Sequence, residues 1–98
     1  MRRIDYEWDA AQAAENLRKH GIDLADSIAA LEDPNRLEEL DSRFEYGEER
    51  TRVIGMAVGN VLFVVMTLRD ERTCRIISAR RATRHERDRY YAENLEAW

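Results

Sequence analysis

Two adjacent arginines, Arg80 and Arg81, close the run Arg75-Ile76-Ile77-Ser78-Ala79-Arg80-Arg81-Ala82-Thr83. Its β-branched start reads as a strand, and its end meets a helix start signal. Thr83 with Glu86 three residues on forms a capping box, in which side chains satisfy amides that the first helical turn leaves unbonded. The two guanidinium groups therefore sit where a strand stops and a helix begins, a place whose exposed amides favour anions. Successive strand residues point to opposite faces, so the pair should diverge unless the chain bends there. A phosphate-rich partner and a solvated charge cluster both fit this stretch.

The surrounding charge favours recognition by arginine. Residues 1–50 hold seven Lys/Arg against fourteen Asp/Glu, a balance of −7, whereas residues 51–98 hold nine against six, or +3. Between Arg69 and Arg89 there are eight arginines and four acids. The overall charge of −4 argues against broad affinity for nucleic acid, but the potential that steers a ligand is local. Lys19 is the sole lysine, and an arginine fork matches the oxygens of carboxylate or phosphate better than an ammonium does.

One domain should position these groups, since 98 residues with 44% hydrophobic and 37% charged content describe a single globular unit with a polar surface. No apolar stretch approaches the roughly 20 residues that cross a bilayer, and Met1–Asp5 lacks the apolar core of a signal peptide. The expected location is the cytoplasm, with the single Cys74 a small core residue within a strand.

Taken in order, Tyr6-Glu7-Trp8 is a candidate leading strand. Asp9 reads as an N-cap with Gln12 at the capping-box position. Ala10, Ala13, Ala14 and Leu17 recur at helical spacing, and Gly21 is placed to stop that helix. Lys19 and His20 occupy its last turn, where positive charge suits the helix dipole. Asp23 caps a second helix that ends near Asp33-Pro34. Arg36–Leu40 is a weak strand candidate within a polar stretch that runs to Arg50. Arg52–Val58 and Val61–Leu68 read as strands joined by a two-residue turn, Gly59-Asn60. The second is apolar on both faces and should be central. Thr73–Arg80 completes an antiparallel meander of three strands, or four with Arg36–Leu40 at the edge. A charged helix from Arg84 to about Leu95, with Tyr90, Tyr91 and Leu95 on a narrow apolar face, should dock loosely. The fold class is α+β.

Glu7-Trp8-Asp9, Asn16-Leu17-Arg18-Lys19-His20-Gly21, Gly47-Glu48-Glu49-Arg50, Thr67 and Arg75–Ala82 follow one another in the order of a known family. Over residues 5–92 the chain resembles BrnT-type toxins, of the RelE/ParE-like group of type II toxin–antitoxin systems. The Lys-His-Gly and Ile-Ser-Ala-Arg-Arg-Ala signatures carry that resemblance. It implies a RelE-like fold of two N-terminal helices, an antiparallel sheet and a C-terminal helix. It also implies a ribonuclease that needs no metal, and a ribbon-helix-helix antitoxin of BrnA type with which the toxin represses its own operon. Operator DNA would then be met only through the antitoxin. The chain departs from the family pattern at Leu68, where an acid is frequent, and at Leu24, where phenylalanine is common.

Cleavage without metal uses the ribose 2′-hydroxyl against the adjacent phosphate, so the enzyme must move two protons and stabilise concentrated negative charge. Carried over from the resemblance, Arg80 and Arg81 are the candidates for phosphate binding and charge stabilisation, followed by Arg69. His20, an imidazole, and Glu71, with Asp70 second to it in the turn that the family uses, are the candidates for proton transfer. Lys19, Arg52 and Arg75 are candidate phosphate contacts or salt-bridge partners for the many acids, and Trp8 either a stacking platform for a base or a residue that packs beside the helix start. His20, His85 and Cys74 do not stand at metal-ligand spacing, and no glycine-rich phosphate loop is present. No cofactor is expected. Two other functions fit the same fold: a ParE-like poison that binds gyrase and cleaves nothing, and a degenerate toxin that acts only as co-repressor.

Overall fold

A computed structural model of the chain describes residues 3–41 and 47–94. Its elements are β1 (Asp5–Glu7), α1 (Ala10–His20), α2 (Ile28–Leu31), β2 (Leu37–Asp41), β3 (Arg50–Ala57), β4 (Asn60–Leu68), β5 (Thr73–Arg81) and α3 (Arg84–Glu93). The Leu95 end of the expected last helix lies outside the described residues.

Local capping sets the helix ends. The Asp9 carboxylate accepts from the Gln12 amide, and Gly21, with φ of 69°, closes α1 by donating its N–H to the Leu17 carbonyl. Asp23 caps a 3₁₀ turn, Leu24–Ser27, that runs straight into α2. The expected second helix is thus a 3₁₀ turn followed by a single α-turn. Both halves of the Thr83–Glu86 capping box form at the start of α3.

The sheet has five strands in the order β1-β5-β4-β3-β2. The expected antiparallel meander is there, with β2 at one edge and β4, apolar on both faces, in the centre. The expectation of three to four antiparallel strands falls short by β1, which pairs with β5 in parallel and makes the sheet mixed. A three-residue strand carries too little pattern to announce a partner some 70 positions away. The β3–β4 hairpin also turns one residue earlier than expected, at Val58-Gly59, because Ala57 pairs with Asn60. Both turn residues have positive φ, 47° for Val58 and 79° for Gly59, as a tight hairpin with the twist of its strands requires.

Helices cover both faces. On one, α1, the 3₁₀ turn and α2 pack over Val53, Val64, Ile76 and Ala79 around the fully buried Leu24. Here α2 lies so close that a Cβ at Gly55 would collide with the Ala30 carbonyl oxygen. On the other face α3 seals a smaller cluster of Ile54, Val61, Ala82 and Tyr90. The expectation of a loosely docked α3 is not met, since polar contacts supplement its narrow apolar face. Buried Tyr90 donates its hydroxyl to the Asp33 carboxylate, Asn94 donates to the Asn35 carbonyl at 3.1 Å, and Arg89 pairs with Glu39 at 2.7 Å.

One irregularity decides which face each β5 residue meets. Met66 pairs with Ile76 but Val65 pairs with Ser78, so Ile77 is an extra residue, a bulge. Only that extra residue lets Ile76 and Ala79, three apart, both be buried on the α1 face.

Candidate functional site

Sheet register sorts the candidate residues. Residues paired across a ladder share a face. Arg80 pairs with Phe63, which packs on the α3 side, whereas Arg81 pairs with Leu62, whose side chain belongs to the α1-side core. The two arginines point to opposite faces, as strand alternation predicts.

Their surroundings differ too. The Arg80 guanidinium makes a two-pronged bond to the Glu86 carboxylate, at 2.8 and 3.0 Å, and its centre lies 4.0 Å from the middle of the Phe63 ring. Glu86 Oε1 also accepts the Thr83 amide at 2.8 Å, so Arg80 is locked into the cap of α3. That guanidinium holds the Glu86 carboxyl below the usual carboxylate range. Arg81 is exposed, and its side chain meets no ion-pair partner among the described residues.

Arg69 and Glu71 lie elsewhere. Both belong to the β4–β5 turn, and β5 then runs eight residue steps from Thr73 to Arg81, about 26 Å. One phosphate cannot meet both ends. Arg69 pairs with Glu7 at 3.6 Å, and Glu71 shares a shallow depression with Asp5, Asp70, Arg72 and Thr73. Trp8 packs half-buried against the α1-side core, a wall position rather than a free stacking platform.

The candidates that do come together lie along the middle of β5. Asn16, 5% exposed, reaches from α1 to the edge of β5 beyond the point where β1 stops. It donates to the Ala79 carbonyl at 2.8 Å and to the Ile22 carbonyl at 2.9 Å, and accepts the Ala79 amide at 3.0 Å. This clamp replaces a strand partner for β5 and fixes the last turn of α1 against it. Lys19 and His20 thereby line a cleft of about 190 Å³ together with Gln12, Ile77 and Ser78. Lys19 lies 3.6 Å from Glu15, also in the cleft wall.

Ser78 belongs both to that cleft and to the α3-side face, where it and Arg52 flank Val65 on either hand. Arg75, one row further along, pairs with Thr67 on the same face. Ladder spacings put the Arg52 and Arg75 Cα atoms about 12 Å apart, a gap that two long side chains can close around one phosphate. Arg52 keeps a 3.4 Å contact with Glu39, yet its buried Nε meets no acceptor. Half-buried Arg75 has no hydrogen bond or ion pair from its guanidinium to any described residue. Glu7 stands opposite Arg75 in the β1–β5 ladder but is engaged by Arg69, which leaves the Arg75 fork open to an incoming anion.

Sequence reasoning missed two members of this arrangement. Asn16 had a signal: it stands three residues after Ala13 and four before His20, a polar group on the stripe that faces the sheet. Ser78 had none, because the bulge that turns it to the arginine face is not written in any local pattern.

The arrangement is a strip of one imidazole and three cationic side chains, His20 with Lys19, Arg52 and Arg75, along a strand hydroxyl. A family model described as the ribonuclease toxin BrnT of type II toxin–antitoxin systems matches residues 8–86, a span that contains all of them. Among solved structures, the 1.1 Å crystal structure of the Brucella abortus ribonuclease toxin BrnT superposes with a TM-score of 0.62. The alignment covers 83% of this chain and 99% of that one at 22% identity, a likeness of fold. No curated protein matches the sequence.

Proposed function

The chain belongs to the BrnT family of ribonuclease toxins of type II toxin–antitoxin systems, and from that premise we propose a metal-independent endoribonuclease acting on mRNA. Its centre is the strip His20–Ser78–Arg52–Arg75 rather than the Arg80–Arg81 pair. The ribose 2′-oxygen attacks the adjacent phosphorus, the bond to the 5′-oxygen breaks, and the products are a 2′,3′-cyclic phosphate and a 5′-hydroxyl. Arg75 and Arg52 hold the non-bridging oxygens as the charge on them grows. His20 moves a proton at the 2′- or 5′-oxygen, and Lys19 contacts a flanking phosphate. Arg81 supplies a further RNA contact at the end of β5, while Arg80 holds α3 in place. Glu71 acts at most on a distant part of a longer RNA, whereas Arg69, two residues past Thr67 and in contact with the Glu7 that stands opposite Arg75, lies beside that centre.

The observation that carries this reading is Arg75, half-buried on the face of Arg52 and Ser78, with its ladder neighbour Glu7 engaged by Arg69. A ribbon-helix-helix antitoxin neutralises the chain and brings it to operator DNA in this proposal, and the cytoplasm is the place of action. The test is cleavage of RNA by the purified chain in the presence of a chelator. Arg75→Ala should reduce the rate by about 10²–10³ while leaving the unfolding midpoint unchanged. Equal rates for variant and wild type would overturn the assignment, and intact RNA together with arrested supercoiling would favour a gyrase poison.

A further inference from the structure

Each edge strand of the sheet sets a carboxylate beside one of the arginines of the strip. Glu7 of β1 stands opposite Arg75, and Glu39 of β2 stands opposite Arg52. Opposite charges on one face ordinarily close on each other, as Glu86 closes on Arg80 with both oxygens, at 2.8 and 3.0 Å. Neither edge acid closes in this way. Each is met by a second arginine from outside the strip: Arg69 reaches Glu7 at 3.6 Å, and Arg89 of α3 reaches Glu39 at 2.7 Å. At Glu39 the two oxygens are divided. Oε1 goes to Arg89, whereas Oε2 lies 3.4 Å from Arg52, whose buried Nε is left without an acceptor. A two-pronged pair needs both oxygens, so while Arg89 holds one of them the Arg52 fork stays open.

We propose that Arg89 is a positioning residue of the phosphate site: it holds Glu39 aside and so keeps the Arg52 guanidinium available to RNA. The proposal rests on the reading of Arg52 as a phosphate contact and adds the residue that maintains it in that state. Three observations lead there. The shorter contact of Glu39 is the one to Arg89, so the carboxylate belongs to α3 more than to the strip. Arg89 is itself tethered on both sides, because Glu93 Oε1 lies 3.4 Å from its Nε, and the next residue, Tyr90, is anchored on Asp33. It is thus placed to restrain an acid rather than to follow a substrate. The same device recurs at the other edge, where Arg69 draws Glu7 from Arg75. Without Arg89, Glu39 has Arg52 alone to pair with, and RNA must displace the acid before it can bind. The seating of α3 thereby sets the charge that the strip presents.

The test is RNA cleavage by the full chain under a chelator, with KM and kcat read separately. Arg89→Ala should raise KM about fivefold, the upper end for an exposed ion pair, and leave kcat unchanged, since RNA at saturation displaces the acid. Adding Glu39→Gln should return KM to the wild-type value. Adding Glu93→Gln instead should not, although it restores the same net charge and removes the other acid that Arg89 meets. Both double variants lack the same α3 contact, so their difference separates the freeing of Arg52 from loosened packing. Arg89→Lys, which still holds one oxygen, should match the wild type. An unchanged KM in Arg89→Ala, or equal recovery in the two double variants, would overturn the proposal and leave the phosphate reading standing. Reduced activity in Glu39→Gln alone would make Glu39 the orienter of Arg52 and overturn it as well. Wild-type kinetics in Arg52→Ala would overturn the phosphate reading itself.

Discussion

Replacing Asn16 by alanine tests the positioning of the site more sharply than replacing any of its charged groups. The substitution removes a small side chain from an 11-residue helix that alanine would otherwise favour. What it strands is the Ala79 amide, the Ala79 carbonyl and the Ile22 carbonyl, which Asn16 satisfies at 3.0, 2.8 and 2.9 Å. A buried backbone group left without a partner costs about 1–3 kcal/mol. The Ile22 bond is only partly buried, so water takes over some of its share, and a total near 3 kcal/mol follows from the lower part of that range. For a domain of this size the loss lowers the melting temperature by about 12–24 °C. Thermal and urea unfolding followed by circular dichroism read it directly. RNA cleavage at 25 °C, where most molecules remain folded, should fall as well, because the end of α1 no longer holds Lys19 and His20 against Ser78. A variant within 1 kcal/mol of wild type would refute the clamp, and with it the placement of the cleft.

Arg80→Ala removes the two-pronged bond to Glu86 and the stack on Phe63 and should cost about 1–2 kcal/mol, since both partners are partly exposed. Arg81→Ala should stay within about 0.5 kcal/mol in the same urea titration; equal costs would contradict the division between them. Val58→Asn should raise stability by about 0.5–1 kcal/mol, because Val58 is 85% exposed and its φ of 47° strains a β-branched side chain. An unchanged or lower midpoint would contradict the strain. Burial pushes the Asp33 carboxyl up, but the Tyr90 hydroxyl and the Met56 and Asn35 amides outweigh it and hold its pKa below the ordinary value. Its contribution is therefore complete above the unfolded carboxylate range near pH 4 and is lost as pH falls through the lower folded value. Acid unfolding should be blunted in Asp33→Asn at the expense of stability at neutral pH, and an acid limb that Asn leaves as steep would reject the linkage.

The features legible in the sequence are those whose cause is local. Asp9 with Gln12, Gly21 after His20, and Thr83 with Glu86 each announce a helix end within four residues, and all three ends fall where expected, although only the Asp9 half of the first box is made. The meander is legible because short turns force neighbouring strands to pair. The parallel docking of β1 is not, since its three residues find β5 only once β5 exists. Arg80 and Arg81 diverge as strand alternation dictates, which overturns their joint assignment to one phosphate, and nothing local reveals that Glu86, the capping residue, also captures Arg80. Arg69 and Glu71 lie close to Arg80 in number and far from it in space, because the intervening residues are fully extended. Arg75 and Arg52 are ordinary strand arginines in the sequence, and only their shared face and their unmatched nitrogens single them out.

Ile77 matters because it stands outside the ladder. Deleting it would leave Ser78 opposite Val65, Arg80 opposite Phe63 and Arg81 opposite Leu62, so both arginines would keep their faces. Drawn into the ladder opposite Val65, it would instead slide every later position by one: Arg80 would meet Leu62, Arg81 would meet Val61, and the two would change sides. Which neighbour reaches the cap of α3 thus hangs on one residue that the ladder skips. A relative that regularises this strand without changing its length would exchange the two, and an alignment without gaps would not reveal it.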